Sequence, residues 1–260
     1  MWPHDPGGVA EAHGAVCSVN ERFVTPLGDE MEAVSSDAMR EIDRIAVTET
    51  GPSLLQMMEN AGRSMAVLAL RRAPVPHEEC RVLVMSGRGG NGGGGISCAR
   101  HLARRVRLVD LCLVGSGRPS AAVEAQLVTY RASPGGEVDM EALVGAGPYD
   151  VIVDAVIGYG LRDAPSGEAV RAIAWMNAAS AVVLSLDLPS GLHPESGQAP
   201  GACVAPEMTL TLHLPKPGLL NLVAGDLCVA DLGIPDAVTR RVGVAPPRYG
   251  PAFATPLLRV

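Results

Sequence analysis

The sequence has no CxxC pair among its six cysteines, Cys17, Cys80, Cys98, Cys112, Cys203 and Cys228, and several of them sit inside apolar runs. They read as reduced core residues, which leaves no disulfide framework and no zinc site and points to a cytoplasmic protein. The six histidines lack metal-ligand spacing, so each reads as a surface or packing residue. Lysine occurs once, at position 216, and a formal charge of −7 without a basic stripe argues against a nucleic-acid binder. The opening stretch, MWPHDPGGVAEAHGAV, has neither a basic cluster nor an apolar run, so no signal peptide is expected. The longest apolar region, 172–188, is broken by Asn177 and other polar residues. It reads as a helix end followed by a strand, and no membrane span is expected. These absences leave a small-molecule protein, long enough at 260 residues for one large α/β domain.

What is present centres on residues 81–102, RVLVMSGRGGNGGGGISCARHL. An apolar run from Val82 to Met85 meets a loop, Gly87 to Gly95, in which seven of nine residues are glycine, and a helical pattern opens at Ile96. A strand, a glycine turn and a helix follow one another, and bare amides at a helix N-terminus make a ready anion site. The alternative is a tight turn without a ligand. Gly87, Gly89 and Gly92 satisfy G-x-G-x-x-G, but a nicotinamide dehydrogenase also wants an acidic residue ending the second strand, about 20 residues on. Asp110 lies near that distance, yet the strand pattern continues through Val114. No Lys-Ser or Lys-Thr follows the glycines, which excludes a P-loop, and no GxSxG elbow occurs.

Residues 1–34 mix Pro, Gly, His and charge without a period and read as a flexible arm. A helix then places Met39, Ile42 and Ala46 on one face, with Ser36 or Asp37 as its N-cap and Gly51-Pro52 at its end. A second helix carries Leu54, Leu55, Met58, Ala61, Met65 and Leu68. After the glycine-rich unit come a strand at 108–114, a helix at 119–132, a short helix at 137–144 and a strand at 151–156 that ends in Gly158-Tyr159-Gly160. A helix at 167–177 leads to a strand at 181–186, which runs into Asp187-Leu188-Pro189-Ser190-Gly191. Strands at 208–213 and 227–232 precede a Pro-rich tail, 243–260. Strands alternating with helices imply an α/β fold with a mostly parallel central sheet covered on both faces, one domain over 35–242.

Four oxygen-bearing side chains fall at the carboxyl ends of these strands: Asn91, Asp154, Asp187 and Ser190. In open α/β sheets such ends border one crevice, where ligands bind. An amide oxygen, a carboxylate and a hydroxyl suit a hard cation, and the remaining carboxylate can handle a proton. Taken singly, Asp154 and Asp187 also serve as helix caps and 189–191 as a turn.

The stretches AMREIDRIAV, LLQMMENAG, the glycine loop with ARHL, VDAVIGYGL, SLDLPSGL, LPKPG and ADLGIP together resemble the YjeF N-terminal domain family, whose best-known activity is NAD(P)H-hydrate epimerase. The resemblance covers 34–235. It implies a Rossmann-like three-layer domain, commonly a homodimer, that equilibrates the R and S hydrates of NADH or NADPH. A dehydratase restores one epimer; bacterial members are often fused to it, and here a separate dehydratase partner is expected. The resemblance makes Asn91, Asp154 and Ser190 ligands of one potassium ion per subunit. It assigns substrate binding to Gly90, Asn91, Gly92, Gly93 and Gly94 and to Gly158, Tyr159, Gly160, Leu161, Arg162, Asp163 and Ala164. Asp187 would contact the hydrated nicotinamide and act as general acid/base.

The departures fall in the same pocket. The family loop usually reads G-x-G-N-N-G-G-D-G, whereas Gly90 replaces its first asparagine, Gly94 its aspartate, and Tyr159 a threonine in the next turn. A second reading is therefore a paralogue acting in epimerisation, dehydration or cyclisation of a biosynthetic small molecule. A third is a non-catalytic dimeric scaffold, which the four retained oxygen ligands and the acidic charge oppose. Lys216 reads equally as a solvated loop charge or a ligand contact. Glu59-Asn60 reads as a packing or dimer feature, and the apolar helices between Ser36 and Leu70 as a dimer interface.

Overall fold

A computed structural model describes residues 22–260; residues 1–21, with Cys17 and most of the expected arm, lie outside the described set. Ten strands form one sheet: β1 (Arg22–Val24), β2 (Glu30–Glu32), β3 (Arg81–Ser86), β4 (Leu108–Leu113), β5 (Gly136–Val138), β6 (Val151–Ala155), β7 (Val182–Leu186), β8 (Met208–Leu212), β9 (Asp226–Ala230) and β10 (Ala254–Arg259). Their order is β2-β1-β10-β9-β8-β7-β6-β3-β4-β5. From β9 to β5 every pairing is parallel, while β10, β1 and β2 add antiparallel strands at one edge.

Alternation along β3 shows why the sheet is covered twice: Val82 and Val84 enter one apolar cluster, Leu83 and Met85 the other. Helices α1 (Ser36–Ile45), α2 (Leu54–Arg72), α3 (Gly90–Leu102) and α4 (Ala121–Arg131) give Met39, Met57, Ile96 and Val123 to the first cluster. α5 (Glu168–Ala178) gives Ala172, Ile173 and Met176 to the second. α6 (Asp236–Arg241) follows β9. β3 is flanked by β4 on one side and β6 on the other, so the chain reverses its direction of growth between them. Such a switch point opens a crevice at the strands' carboxyl ends.

Several expectations are corrected. Residues 22–32 form a hairpin on the sheet edge, where Phe23 is fully buried and pairs with Arg259. The tail likewise ends in β10. Its Pro256 is tolerated because β1 reaches only Leu258 and Arg259, and the Arg259 guanidinium donates to the carbonyls of Leu219 and Gly225. The N-cap of α1 is Ser35, whose Oγ accepts from Ala38 N at 3.2 Å, and Ser36 is the first helical residue. In place of one helix at 137–144 stand β5 and a single 3₁₀ turn, Ala142–Val144.

The largest correction concerns the glycine loop, because α3 opens at Gly90 and not at Ile96. Glycine inside a helix costs about 1 kcal/mol against alanine, so packing must offset it. A Cβ on Gly95 would stand 2.5 Å from Ala155 Cβ on β6, and one on Gly62 of α2 would stand 2.5 Å from Ser97 Cβ of α3. The missing side chains let α3 lie against both neighbours.

Candidate active site

The crevice at the switch point holds a cavity of about 490 Å³. β6 places Asp154 beneath the cavity floor, and neither it nor Ser190 is among the residues that line the cavity; Asp154 is fully buried and in register with Ser185 of β7. Asp154 Oδ2 accepts from Ser185 Oγ and from Ser190 N, both at 2.8 Å, while Oδ1 accepts from Ser190 Oγ. Ser190 Oγ in turn accepts from Ile157 N at 2.8 Å, which knots the turn after β7 to the turn after β6. Burial pushes the Asp154 carboxyl above the usual carboxylate range, against the pull of the Ser190 and Ser185 hydrogen bonds. Among the described residues no cationic side chain pairs with it.

Asn91 lies in the first turn of α3, and both polar atoms of its amide are buried without a partner among the described residues. A buried carboxylate without a counter-charge and an orphaned amide each carry a desolvation penalty, and a cation relieves the carboxylate and the amide oxygen, leaving the amide NH2 for another partner. No group of three or more His, Cys, Asp or Glu gathers among the described residues, so the oxygen donors at hand are the Asp154 carboxylate, the Asn91 amide and the Ser190 hydroxyl. That donor set fits a hard monovalent ion better than a divalent one.

Asp187 follows β7 with φ of 69°, in the left-handed region that a non-glycine residue enters at a cost of about 1–3 kcal/mol. Three hydrogen bonds hold it there. Its N–H donates to Leu210 O at 2.7 Å, Oδ2 accepts from Tyr159 N at 2.8 Å, and Oδ1 accepts from Lys216 Nζ at 2.7 Å. Asn91 and Asp187 converge on Gly158, where a Cβ would come 2.8 Å from Asp187 Oδ2 and 3.2 Å from Asn91 Cγ. Above them, Tyr159 closes the wall: its hydroxyl donates to Asp43 Oδ2 at 2.6 Å, and Arg40 and Lys216 lie 5.7 and 5.5 Å from its ring centroid. Burial holds the Asp43 carboxyl above its ordinary range, opposed by the Tyr159 hydrogen bond and by Lys216.

Of the residues expected to bind substrate, Gly90, Asn91, Gly94, Gly158, Tyr159, Gly160 and Asp187 line the cavity. Gly92 and Gly93 do not: they face Gly87 and Met58 and are packing positions. Leu161 is buried, and Arg162, Asp163 and Ala164 are exposed away from the cavity wall, because the turn leaves the crevice after Gly160. Sequence reasoning missed Arg40 and Asp43 of α1, Met57 and Met58 of α2, and the burial of Lys216. AMREIDRIAV and LPKPG held the signal, but helical periodicity explained the first as core and a proline turn explained the second as surface. Glu59 packs between α2 and α3, accepting from Ser97, Arg100 and His101. A second cavity, of about 370 Å³ beside Arg63, Arg71 and Phe253, holds none of the expected site residues.

The family described as YjeF-related protein N-terminus matches residues 54–218. An NAD(P)H-hydrate epimerase of Dehalogenimonas lykanthroporepellens is 45% identical over 223 residues, covering 86% of this chain and 91% of its own length. That of Truepera radiovictrix is 35% identical over 214 residues, covering 82% and 95%. A bifunctional NAD(P)H-hydrate repair enzyme of Hyperthermus butylicus is 37% identical over 202 residues; these are 74% of this chain and 37% of that enzyme. The crystal structure of a yeast protein, 23% identical, superposes with a TM-score of 0.73 over 88% of this chain and 100% of its own, which shows the same fold.

Proposed function

The chain belongs to the YjeF N-terminal family, and from that premise we propose that it interconverts the R and S hydrates of NADH or NADPH. The observation that carries the reading is Asp187, held in a strained conformation at the cavity wall within a chain 45% identical to an NAD(P)H-hydrate epimerase. Epimerisation at one ring carbon needs either proton movement or transient loss and return of the hydroxyl, and a fixed carboxylate assists both. Asp187 Oδ2 faces Gly158, with Oδ1 tied to Lys216, so Oδ2 is the oxygen offered to the substrate. The first amides of α3, at Gly90 and Asn91, have no intrahelical partner and suit the diphosphate of a dinucleotide. Leu54, Met57 and Leu232 give the cavity apolar walls for a ring.

Potassium completes the proposal, held by the Asn91 amide oxygen, the Asp154 carboxylate and the Ser190 hydroxyl. When bound, it offsets the buried charge of Asp154 and fixes the turns after β3, β6 and β7 relative to one another. A homodimer and a separate dehydratase acting on one epimer belong to the same proposal. Among the described residues no helix is long and apolar enough to cross a membrane.

The test is R/S exchange in purified NADHX, followed by NMR or chromatography with potassium present. Exchange above the spontaneous rate is expected, and Asp187→Asn is expected to lower it by roughly two to four powers of ten while the protein stays folded. No exchange by a folded wild-type protein would sink the reading. One observation then favours a paralogue with another small-molecule substrate: the Tyr159 ring, tied to Asp43, stands in the cavity wall.

A further inference from the structure

Lys216 is the only lysine of the chain, its side chain is fully buried, and it does not line the cavity. It therefore cannot touch a ligand there. What it touches is Asp187 Oδ1 at 2.7 Å and Leu212 O at 3.2 Å, under the Tyr159 ring. A buried ammonium group is costly unless it is paired and hydrogen-bonded, and this one has a carboxylate, a carbonyl and an aromatic face. Its effect on the carboxylate is directional. With Oδ1 committed to Lys216, Asp187 is left with Oδ2 at the Gly158 edge of the cavity, where the Tyr159 N–H fixes it.

We propose that Lys216 is a positioning residue for the reaction, acting through Asp187: it pins Oδ1 so that Oδ2 is presented to the substrate, and the Tyr159 ring shields the pair from water. The reaction it serves is the epimerisation proposed above, on which this inference rests; the Lys216–Asp187 arrangement does not depend on it. Without this anchor the carboxylate can rotate, and a misplacement of about 1 Å at a reacting group costs about a hundredfold in rate.

A single lysine permits a direct readout. Protein labelled with 15N-lysine should give one side-chain ammonium resonance, protected from water exchange. In Asp187→Asn it should shift and lose protection, and in Tyr159→Leu, which leaves both charges in place, it should exchange faster. A resonance that exchanges like free lysine in the wild-type protein, or that ignores both substitutions, overturns the arrangement. The kinetic arm uses Lys216→Met and Lys216→Ala in the NADHX exchange assay. Both should lower kcat about a hundredfold or more with KM changed less than about threefold, and ethylammonium should restore Lys216→Ala at least about tenfold. Methionine fills the vacated space, so Lys216→Met should not respond. Loss of rate only in step with loss of thermal stability, without rescue, makes Lys216 structural and overturns the proposal, as does unchanged kcat. A wild-type protein that exchanges NADHX while Lys216→Met matches it sinks this inference alone; a wild-type protein without exchange sinks the epimerase reading and leaves the resonance to judge the arrangement.

Discussion

Gly158→Ala should wedge apart the two side chains on which the site depends. The added Cβ would stand 2.8 Å from Asp187 Oδ2 and 3.2 Å from Asn91 Cγ, with Asn91 Cβ at 3.3 Å. Non-bonded carbon and oxygen prefer separations above about 3.3 Å, so Oδ2 must retreat by roughly 0.5 Å. It is not free to do so, being bonded at 2.8 Å to Tyr159 N and, through Oδ1, at 2.7 Å to a buried ammonium. Overpacking of this kind costs about 1–3 kcal/mol, and about 2–4 °C of Tm per kcal/mol in a chain of this size. The larger effect is on rate: a misplacement of about 1 Å at a reacting group costs about a hundredfold, so a shift of roughly half that should lower turnover by about tenfold. Thermal unfolding and NADHX exchange measure the two effects separately. Gly145→Ala is the control: it is exposed, and its Cβ meets nothing within 4 Å, so its Tm should be unchanged. A Gly158→Ala protein with wild-type Tm and rate would refute the convergence of Asn91 and Asp187 on this glycine.

Three other outcomes are expected. Gly90→Asn points into open space and removes a helical glycine, so stability should rise by up to about 1 kcal/mol in denaturant titration; Gly94→Asp puts its Cβ 2.9 Å from Leu186 Cδ2 in a buried position and should lose more than about 2 kcal/mol. His213 is fully buried against Thr239 and Tyr249, and burial, with Lys216 nearby, pushes its imidazole down to about 3. The unfolded chain takes that proton near the ordinary 6.5, so stability should be full above that pH and fall towards 3 by about 1.4 kcal/mol per pH unit, a slope that His213→Gln should remove from urea titrations at pH 5 and 7. Replacing potassium by N-methylglucammonium should lower Tm, since a ligand at 100 times its Kd contributes about 2.7 kcal/mol, and Asn91→Ala should abolish the response; an equal Tm in both salts counts against the cation.

All of the parallel strands but β5 were legible because they are rich in apolar residues and alternate with helical patterns; β5, three residues long, reads as the start of a helix. β1, β2 and β10 were not legible. The first two have three residues each, with only Phe23 and Met31 turned inward, and β10 carries a proline, so no local pattern separates them from loop. The start of α3 was misplaced because glycine density signals a turn unless a close neighbour is known, and the neighbours here, Ala155 and Gly62, come from other elements. The same logic divides the site. Asn91, Asp154, Asp187 and Ser190 could be grouped from the sequence because strand ends in a parallel sheet share one edge. Asp43, Arg40 and Lys216 reach it from a helix face and a proline turn, where register and burial are tertiary facts.

The three departures from the family loop differ in physical consequence. Gly90 leaves open space at the cavity rim, so the polar contact it lacks is a contact with ligand or water and nothing inside the protein answers for it. Gly94 is crowded: a Cβ there would stand 2.9 Å from Leu186 Cδ2, so a side chain returns to this position only if Leu186 shifts. Tyr159 has formed bonds of its own, through its hydroxyl to Asp43 and its ring to two cations, while its backbone N–H still serves Asp187. None of the three changes enters the hydrogen bonds of Asp154 or breaks the Lys216–Asp187 ion pair, although the Tyr159 ring covers that pair. Rim and floor are separable in this fold because the floor is built from strand ends whose register the sheet dictates, whereas the rim is built from turns. A family built this way changes what it holds more readily than what it does to it. Under the proposed function, these three residues are accordingly expected to alter substrate affinity with the carboxylate chemistry kept.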